Sequence, residues 1–282
     1  MPKGDLPWQA SGRRIGVMGV VNVTPDSFHP ASRAPGPESA ADHIRTMVAE
    51  GADVLDVGGE STRPGACEVP AAEELARVLP VIEAARCAHA NLPVSVDTYK
   101  ASVARAATLA GATIVNDVSG GLLDDDMPHA IADSGATIII GHIRGTPATM
   151  RDAPGYDDVV QEVTAELAER VATFRAAGVD ESRIWIDPGI GFGKGAAASR
   201  ELLFGLGGLA VLGLPVVIGL SRKSFLAAPM RRAGLGETTS DDRLEASLAA
   251  AVLAAERGAV LVRAHDVGPT RRALALLEGE QA

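Results

Sequence analysis

Four residues far apart in the chain, Asp97, Asn116, Asp187 and Lys223, carry side chains suited to gripping a heteroaromatic ring. A carboxylate accepts two parallel N–H bonds from an amidine-like edge, and a lysine donates to a ring carbonyl or nitrogen. A second group, Asn22, Thr62, Arg63, Arg263 and His265, combines two guanidiniums, an imidazole, a hydroxyl and an amide. That combination suits a phosphate, which arginine holds through paired donors. The glycine-rich stretch from Gly58 to Gly65 can bend close over a ligand, although the same composition also makes an ordinary surface turn.

These residues follow short apolar runs rich in Val and Ile: Ile15 to Val21, Val54 to Val57, Val94 to Val96, Thr113 to Val115, Thr137 to Ile140, Ile184 to Ile186, Val216 to Ile218 and Val260 to Val262. The runs are continuous rather than alternating, as strands covered on both faces should be. Helical stretches separate them: Glu38 to Glu50, Ala71 to Ala88, Tyr99 to Ala110, Asp125 to Asp133, Asp157 to Ala177, Ser199 to Leu212, Asp241 to Glu256 and Thr270 to Leu277. Gly51, Gly111, Gly135, Gly178 and Gly258 stand where helix-ending glycines belong. Eight strand-then-helix units predict a single α/β domain over residues 1–282, a (β/α)8 TIM barrel, with residues 1–14 as an N-terminal extension. An open doubly wound sheet is the competing architecture and usually has fewer strands.

A barrel of this kind carries its chemistry at the C-terminal ends of the strands. There the chain places Asn22, Asp56, Asp97, Asn116 with Asp117, His142 with Arg144, Asp187, the Ser221-Arg222-Lys223-Ser224 turn, and Arg263, His265 and Asp266. A lone Asp or Asn at such a point reads as a helix cap or a turn residue. Capping does not account for Lys223, Arg263, His142 and His265 together, so the set predicts an active site at one rim.

Composition excludes several alternatives. Of 282 residues, 46% are hydrophobic and 22% charged, which fits a folded globular chain. Lys plus Arg is 26 against 36 Asp plus Glu, a net charge of −10, the wrong balance for a nucleic-acid surface. No apolar stretch approaches the length of a membrane helix, and the first residues lack the apolar core of a signal peptide. Two cysteines, Cys67 and Cys87, are too few for a disulfide framework and suit the cytoplasm. Two motifs mislead. Gly189-Ile190-Gly191-Phe192-Gly193-Lys194-Gly195 resembles a nucleotide loop, but Gly195 stands where a Walker motif needs Ser or Thr, and no acidic residue follows at dinucleotide spacing. The run Asp124-Asp125-Asp126 reads as helix-start charge before it reads as a metal site, and no His/Cys cluster has metal-ligand spacing.

As a set, the motifs resemble the dihydropteroate synthase family. The matching segments are VMGVVNVTPDSF (Val17 to Phe28), DVGGESTRPGA (Asp56 to Ala66), SVDTYKASVARAA (Ser95 to Ala107), NDVSGG (Asn116 to Gly121), HIRGTPATM (His142 to Met150), DPGIGFGK (Asp187 to Lys194), SRKSFL (Ser221 to Leu226) and VRAHDV (Val262 to Val267). They run in the family's order over nearly the whole chain. The resemblance implies condensation of 6-hydroxymethyl-7,8-dihydropterin diphosphate with 4-aminobenzoate to give 7,8-dihydropteroate and pyrophosphate. It implies that Asp97, Asn116, Val118, Asp187 and Lys223 bind the pterin, with Phe192 and Gly219 shaping its slot. Asn22, Thr62, Arg63, Arg263 and His265 would hold the diphosphate, with Asn22 also near a Mg²⁺. Phe28, Thr62, Arg63 and Ser224 would flank the aminobenzoate on mobile loops. Asp97, Lys223 and Arg263 would carry catalysis in a dissociative reaction without an enzyme nucleophile. The expected partners are these small molecules alone, with neither nucleic acid nor membrane, and the expected assembly is a homodimer.

The chain departs from the family pattern at four points. His29-Pro30-Ala31-Ser32-Arg33 replaces the usual Ser-Asp-Gly-Gly after Phe28. Gly141 replaces a methionine expected to pack on the pterin, Leu220 replaces a small residue, and Ala227 replaces a glycine. These changes leave open a sulfonamide-insensitive variant of the same enzyme. They also leave open a pterin-binding paralogue, either a methyltransferase or an inactive partner subunit. A methyltransferase should lack the anion group of Arg63, Arg263 and His265.

Overall fold

In a computed structural model, eight parallel strands close into a barrel in the order β1-β2-β3-β4-β5-β6-β7-β8. The structure describes residues 6–9, 12–23, 37–63, 65–152 and 155–278. The strands are β1 (Gly16–Asn22), β2 (Val54–Gly58), β3 (Val94–Asp97), β4 (Ile114–Asp117), β5 (Thr137–Gly141), β6 (Ile184–Asp187), β7 (Val216–Gly219) and β8 (Ala259–Ala264). The helices are α1 (Pro37–Ala49), α2 (Ala71–Ala88), α3 (Ala101–Leu109), α4 (Met127–Ser134), α5 (Val159–Ala176), α6 (Ala196–Phe204), α7 (Ala227–Arg232), α8 (Leu244–Glu256) and α9 (Val267–Leu274). The expected barrel is therefore present, and closure by β1 against β8 excludes the open sheet.

Two departures from the sequence reading have local causes. The helix expected over Ser199 to Leu212 ends at Phe204 and continues as a 3₁₀ turn, Leu206–Leu212. The break falls at Gly205, where a Cβ would approach Val160 Cγ2 to 2.5 Å, so the backbone packs directly on α5. Asp124 serves two helix starts, because one carboxylate oxygen accepts from the N–H of Asp126 just ahead of α4 (3.1 Å), as expected, and the other accepts from the N–H of Ala101 at the start of α3 (2.8 Å).

The strands' two-residue period divides the core. Met18, Val54, Ile114, Ile139, Trp185, Val217 and Leu261 face inward and cluster with Leu6 and Trp8. The alternate residues, such as Val17, Val57, Val96, Ile138 and Ile186, pack outward with the helices. The expected N-terminal extension thus includes part of the barrel floor. Trp8 is 1% exposed and meets Trp185 edge-on, with ring centroids 5.8 Å apart.

Candidate active site

Two residues above five of the inward-facing apolar residues comes a residue of the mouth. Val54 leads to Asp56, Ile114 to Asn116, Trp185 to Asp187, Val217 to Gly219 and Leu261 to Arg263. The parallel register aligns Asn22, Gly58, Asp97 and Asn116 across four neighbouring strands. A Cβ at Gly58 would lie at ordinary contact distance, 3.7 Å, from both Asn22 Oδ1 and Asp97 Oδ2, so these two side chains flank the glycine.

Arg263 is the hub of the mouth. Its Nε donates to Asp56 Oδ2 (2.5 Å) and its Nη2 to Asp97 Oδ2 (2.7 Å). Asn116 Nδ2 donates to the same Asp56 oxygen (3.1 Å). The group expected from the sequence to grip a ring and the group expected to grip an anion therefore meet at one guanidinium. Burial pushes Asp97 up to about 7, against the opposing pull of Arg263 and with help from the Asp56 charge. Burial alone would lower Arg263, but Asp56 and Asp97 raise it, so it stays charged. Asp56 is fully buried, and the sequence alone places it at the rim without marking it as a ligand residue. Its place two residues beyond the inward-facing Val54 is the signal that finds it.

On the opposite side, Lys223 lies over the Phe192 ring, with Nζ 4.3 Å from the centroid, and donates to the Ile190 carbonyl. Burial lowers Lys223 to about 8, while the Asp187 charge holds it up. Burial raises Asp187, against Lys223 and the Gly189 N–H that donates to its Oδ1 (2.7 Å). A Cβ at Gly219 would lie 3.9 Å from Lys223 Nζ and 4.0 Å from Arg263 Cβ, so the bare backbone there keeps the slot between them open. Val118 is buried just beyond β4. Lys223 is set by its neighbour Arg222, which has φ of 57°. That unfavourable left-handed conformation is held by two bonds to Asp266 (2.9 and 2.8 Å), one to Asp241 (2.7 Å) and a backbone N–H donated to Ser247 Oγ (2.8 Å).

The outer residues are more open. His265 is exposed, and its Nδ1 lies 3.0 Å from Ser221 Oγ. Arg63 and Ser224 are exposed and Thr62 is half-buried. The base of the β2 loop is fixed, because Lys100 pairs with Glu60 and with Glu74 (2.6 Å), and Tyr99 Oη donates to Glu60 (2.7 Å). Phe28, Pro64 and the divergent His29–Arg33 stretch lie outside the described residues.

Some rim residues face away from the mouth. His142 and Asp117 have outward parity. Asp117 accepts from the N–H and Oγ of Ser119 and the N–H of Gly121, which makes it the organiser of a turn. His142 is fully buried against α5, with Nε2 3.0 Å from Glu166 Oε2. Burial and the Lys194 charge push it down to about 2, so its ring is neutral. At Gly141 a Cβ would lie 2.6 Å from the Asp117 carbonyl oxygen and 2.7 Å from Val118 Cα. Backbone packing therefore occupies the space into which a side chain at 141 would have to start. Leu220 belongs to the core between strands and helices.

Residues 18–265 match the family model of pterin binding enzymes. The chain is 40% identical to the dihydropteroate synthase of Escherichia coli over 93% of this chain and 90% of that one. It is 44% identical to a probable bifunctional folylpolyglutamate synthase/dihydropteroate synthase of Haloferax volcanii, of which it spans 30%. The structure superposes on Xanthomonas albilineans dihydropteroate synthase with 4-aminobenzoic acid at a TM-score of 0.86, with 46% identity over 95% of this chain and 94% of that one. It superposes on the same enzyme in complex with 7,8-dihydropteroate at 0.80. A match that runs through every strand of the barrel and both walls of its mouth places the chain in the dihydropteroate synthase family.

Proposed function

We propose that the chain condenses 6-hydroxymethyl-7,8-dihydropterin diphosphate with 4-aminobenzoate, releasing pyrophosphate. The observation that carries this reading is the mouth itself, where Asp56, Asp97 and Asp187 face Arg263 and Lys223 around one opening. Asp187, Asn116 and Lys223 offer acceptors and donors to the pterin edge, with Phe192, Val118 and Gly219 as its walls. Arg263, His265, Asn22, Thr62 and Arg63 form the anion side, and Ser224 with Thr62 and Arg63 borders the amine's entry. Breaking the CH₂–O bond sends its electron pair to the diphosphate and leaves positive charge on the pterin. Asp97 stabilises that charge and Arg263 the leaving anion. The aminobenzoate nitrogen then bonds to the carbon and gives up a proton to solvent. Mixing the two substrates and measuring pyrophosphate release tests the reading, and no release above the uncatalysed rate would refute it.

No group of three or more His, Cys, Asp or Glu residues among the described residues could hold a metal by itself. Magnesium needs no such cage, because it keeps several waters and binds through one or two protein oxygens plus substrate phosphates. Asn22 Oδ1, at the C-terminal end of β1, is a donor of that kind. Bound there with the diphosphate, Mg²⁺ would neutralise charge on the leaving group. The free thiols Cys67 and Cys87 fit a cytoplasmic enzyme, and we take the working assembly to be a homodimer. Among the described residues, no helix is long and apolar enough to cross a membrane.

Two expectations follow from the charges. The acceptor role of Asp97 is gained as pH rises through about 7, and the charge on Lys223 is lost as pH rises through about 8. A pH series of pterin titrations on the free protein should therefore trace a bell peaking between these values. Lys223→Arg should remove the alkaline limb alone. The second expectation concerns coupling. Diphosphate joins residues of the first, second and eighth loops, so pyrophosphate with Mg²⁺ should order the site that 4-aminobenzoate meets. A coupling of about 1–3 kcal/mol would raise 4-aminobenzoate affinity at least several-fold. Equal affinity in titrations with and without pyrophosphate and Mg²⁺ would mean a preformed site.

A further inference from the structure

The segment from Gly189 to Lys194 has the glycine spacing of an anion-binding loop and the opposite polarity. Gly189, Gly191 and Gly193 have φ of 64°, 85° and 64°, so every second residue is left-handed. A phosphate loop turns backbone N–H groups inward. Here carbonyls converge instead on the side chain at the loop's own end. Lys194 Nζ lies within hydrogen-bond distance of the carbonyls of Gly189 (3.0 Å), Phe192 (3.1 Å) and His142 (3.2 Å) and of His142 Nδ1 (2.9 Å), so four acceptors share its three N–H donors. Lys194 is only 6% exposed. A Cβ at Gly189 would overlap the His142 carbonyl oxygen, so only glycine lets the loop close on β5.

This cradle is attached to the mouth on one side and to a helix on the other. Toward the mouth, Ile190 supplies the carbonyl that accepts from Lys223, Phe192 supplies the ring beneath it, and Gly189 donates to Asp187. A Cβ at Gly191 would lie 3.1 Å from Lys223 Cδ, so the loop is in contact with the length of that side chain. Toward the helix, His142 is oriented from α5 by Glu166. Arg144 also holds Glu166, its Nε donating to Oε1 (3.0 Å). With Nδ1 accepting from Lys194, the imidazole carries its proton on Nε2 and donates it to Glu166.

We propose that Lys194, acting with His142 and Glu166, is a positioning residue for the ring-binding half of the site: it fixes the 189–193 loop and thereby sets Lys223 against Asp187. The ligand's identity rests on the pterin reading above, whereas the positioning itself does not. Lys194 touches no reacting atom and works through Lys223 and Phe192.

The test pairs kinetics with a measurement that needs no substrate. In Lys194→Met, the KM for the pterin diphosphate should rise about tenfold or more, because the buried carbonyls of Gly189, Phe192 and His142 lose the donor they share and nothing replaces it. The KM for 4-aminobenzoate should stay within about twofold, since among the described residues no hydrogen bond joins Lys194 to Thr62, Arg63 or Ser224. Amide exchange in the ligand-free protein should accelerate across residues 189–193 more than across the other strand-end loops. Glu166→Gln, on a side chain 29% exposed, should reproduce both effects at lower amplitude, and it carries the test if Lys194→Met fails to fold. Unchanged exchange over 189–193, or an equal rise in both KM values, would overturn the proposal. If the unaltered protein makes no dihydropteroate, the functional reading fails, and the exchange data still decide the positioning role.

Discussion

Arg263→Ala is expected to lower kcat/KM by about a thousandfold or more, the scale set by losing a preorganised charge at a departing anion. The structure adds a second effect. Removing the guanidinium leaves Asp56 and Asp97 side by side without the cation that both contact. The Asp97 carboxyl then moves further above its present position near 7 and is protonated over more of the working range. Binding of a pterin that lacks the diphosphate should therefore weaken at neutral pH and recover as pH rises, whereas turnover stays lost at every pH. Calorimetric titration of such a pterin across pH, beside a pyrophosphate-release assay, separates the two. Turnover recovering together with ring binding would mean that Arg263 acts only by keeping Asp97 ionised.

Asp187→Asn should cost about 1.5–3 kcal/mol of pterin affinity, the worth of hydrogen bonds to a charged acceptor, with little change in thermal stability. An amide puts a donor where the ring edge also presents donors. The substitution also takes away the charge that holds Lys223 up, so Lys223 should deprotonate below its present value near 8. Its Oδ1 bond to the Gly189 N–H can be kept by the amide oxygen, which is why the fold should tolerate the change. Calorimetry and thermal unfolding on the same sample give both quantities. Unchanged pterin affinity would remove Asp187 from the ring site.

The strands were legible because each is a continuous β-branched run punctuated by glycine. Gly51, Gly111, Gly135, Gly178 and Gly258, read as helix-ending residues, all have positive φ. Parity was harder to see. With both faces of a strand apolar, the pattern does not reveal which residue points inward, so His142 and Asp117 looked equivalent to Asp97 and Asn116. The floor cluster resolves it, because counting up from Leu261 or Trp185 in steps of two reaches Arg263 and Asp187 and passes over their neighbours. Charge pairing was hidden for a different reason. Nothing in sequence spacing says that Arg263 stands between Asp56 and Asp97, so the division into a ring zone and an anion zone merged once the barrel closed.

Arg263 reaches Asp56 across 207 positions of sequence and Asp97 across 166. β8 also completes the barrel by pairing with β1. In chain order, β2 and β3 carry the two carboxylates, and only the last strand, β8, carries their cation. Contacts this distant are gained late and slow the approach to the native state. A growing chain, made at roughly 5–20 residues per second, has Asp97 in place 166 positions before the arginine that pairs with it. The strand that ends the wait delivers the guanidinium in the same step. The arginine proposed to meet the anion is thus the last of the three charges to be made, and it is carried by the strand that closes the barrel on β1.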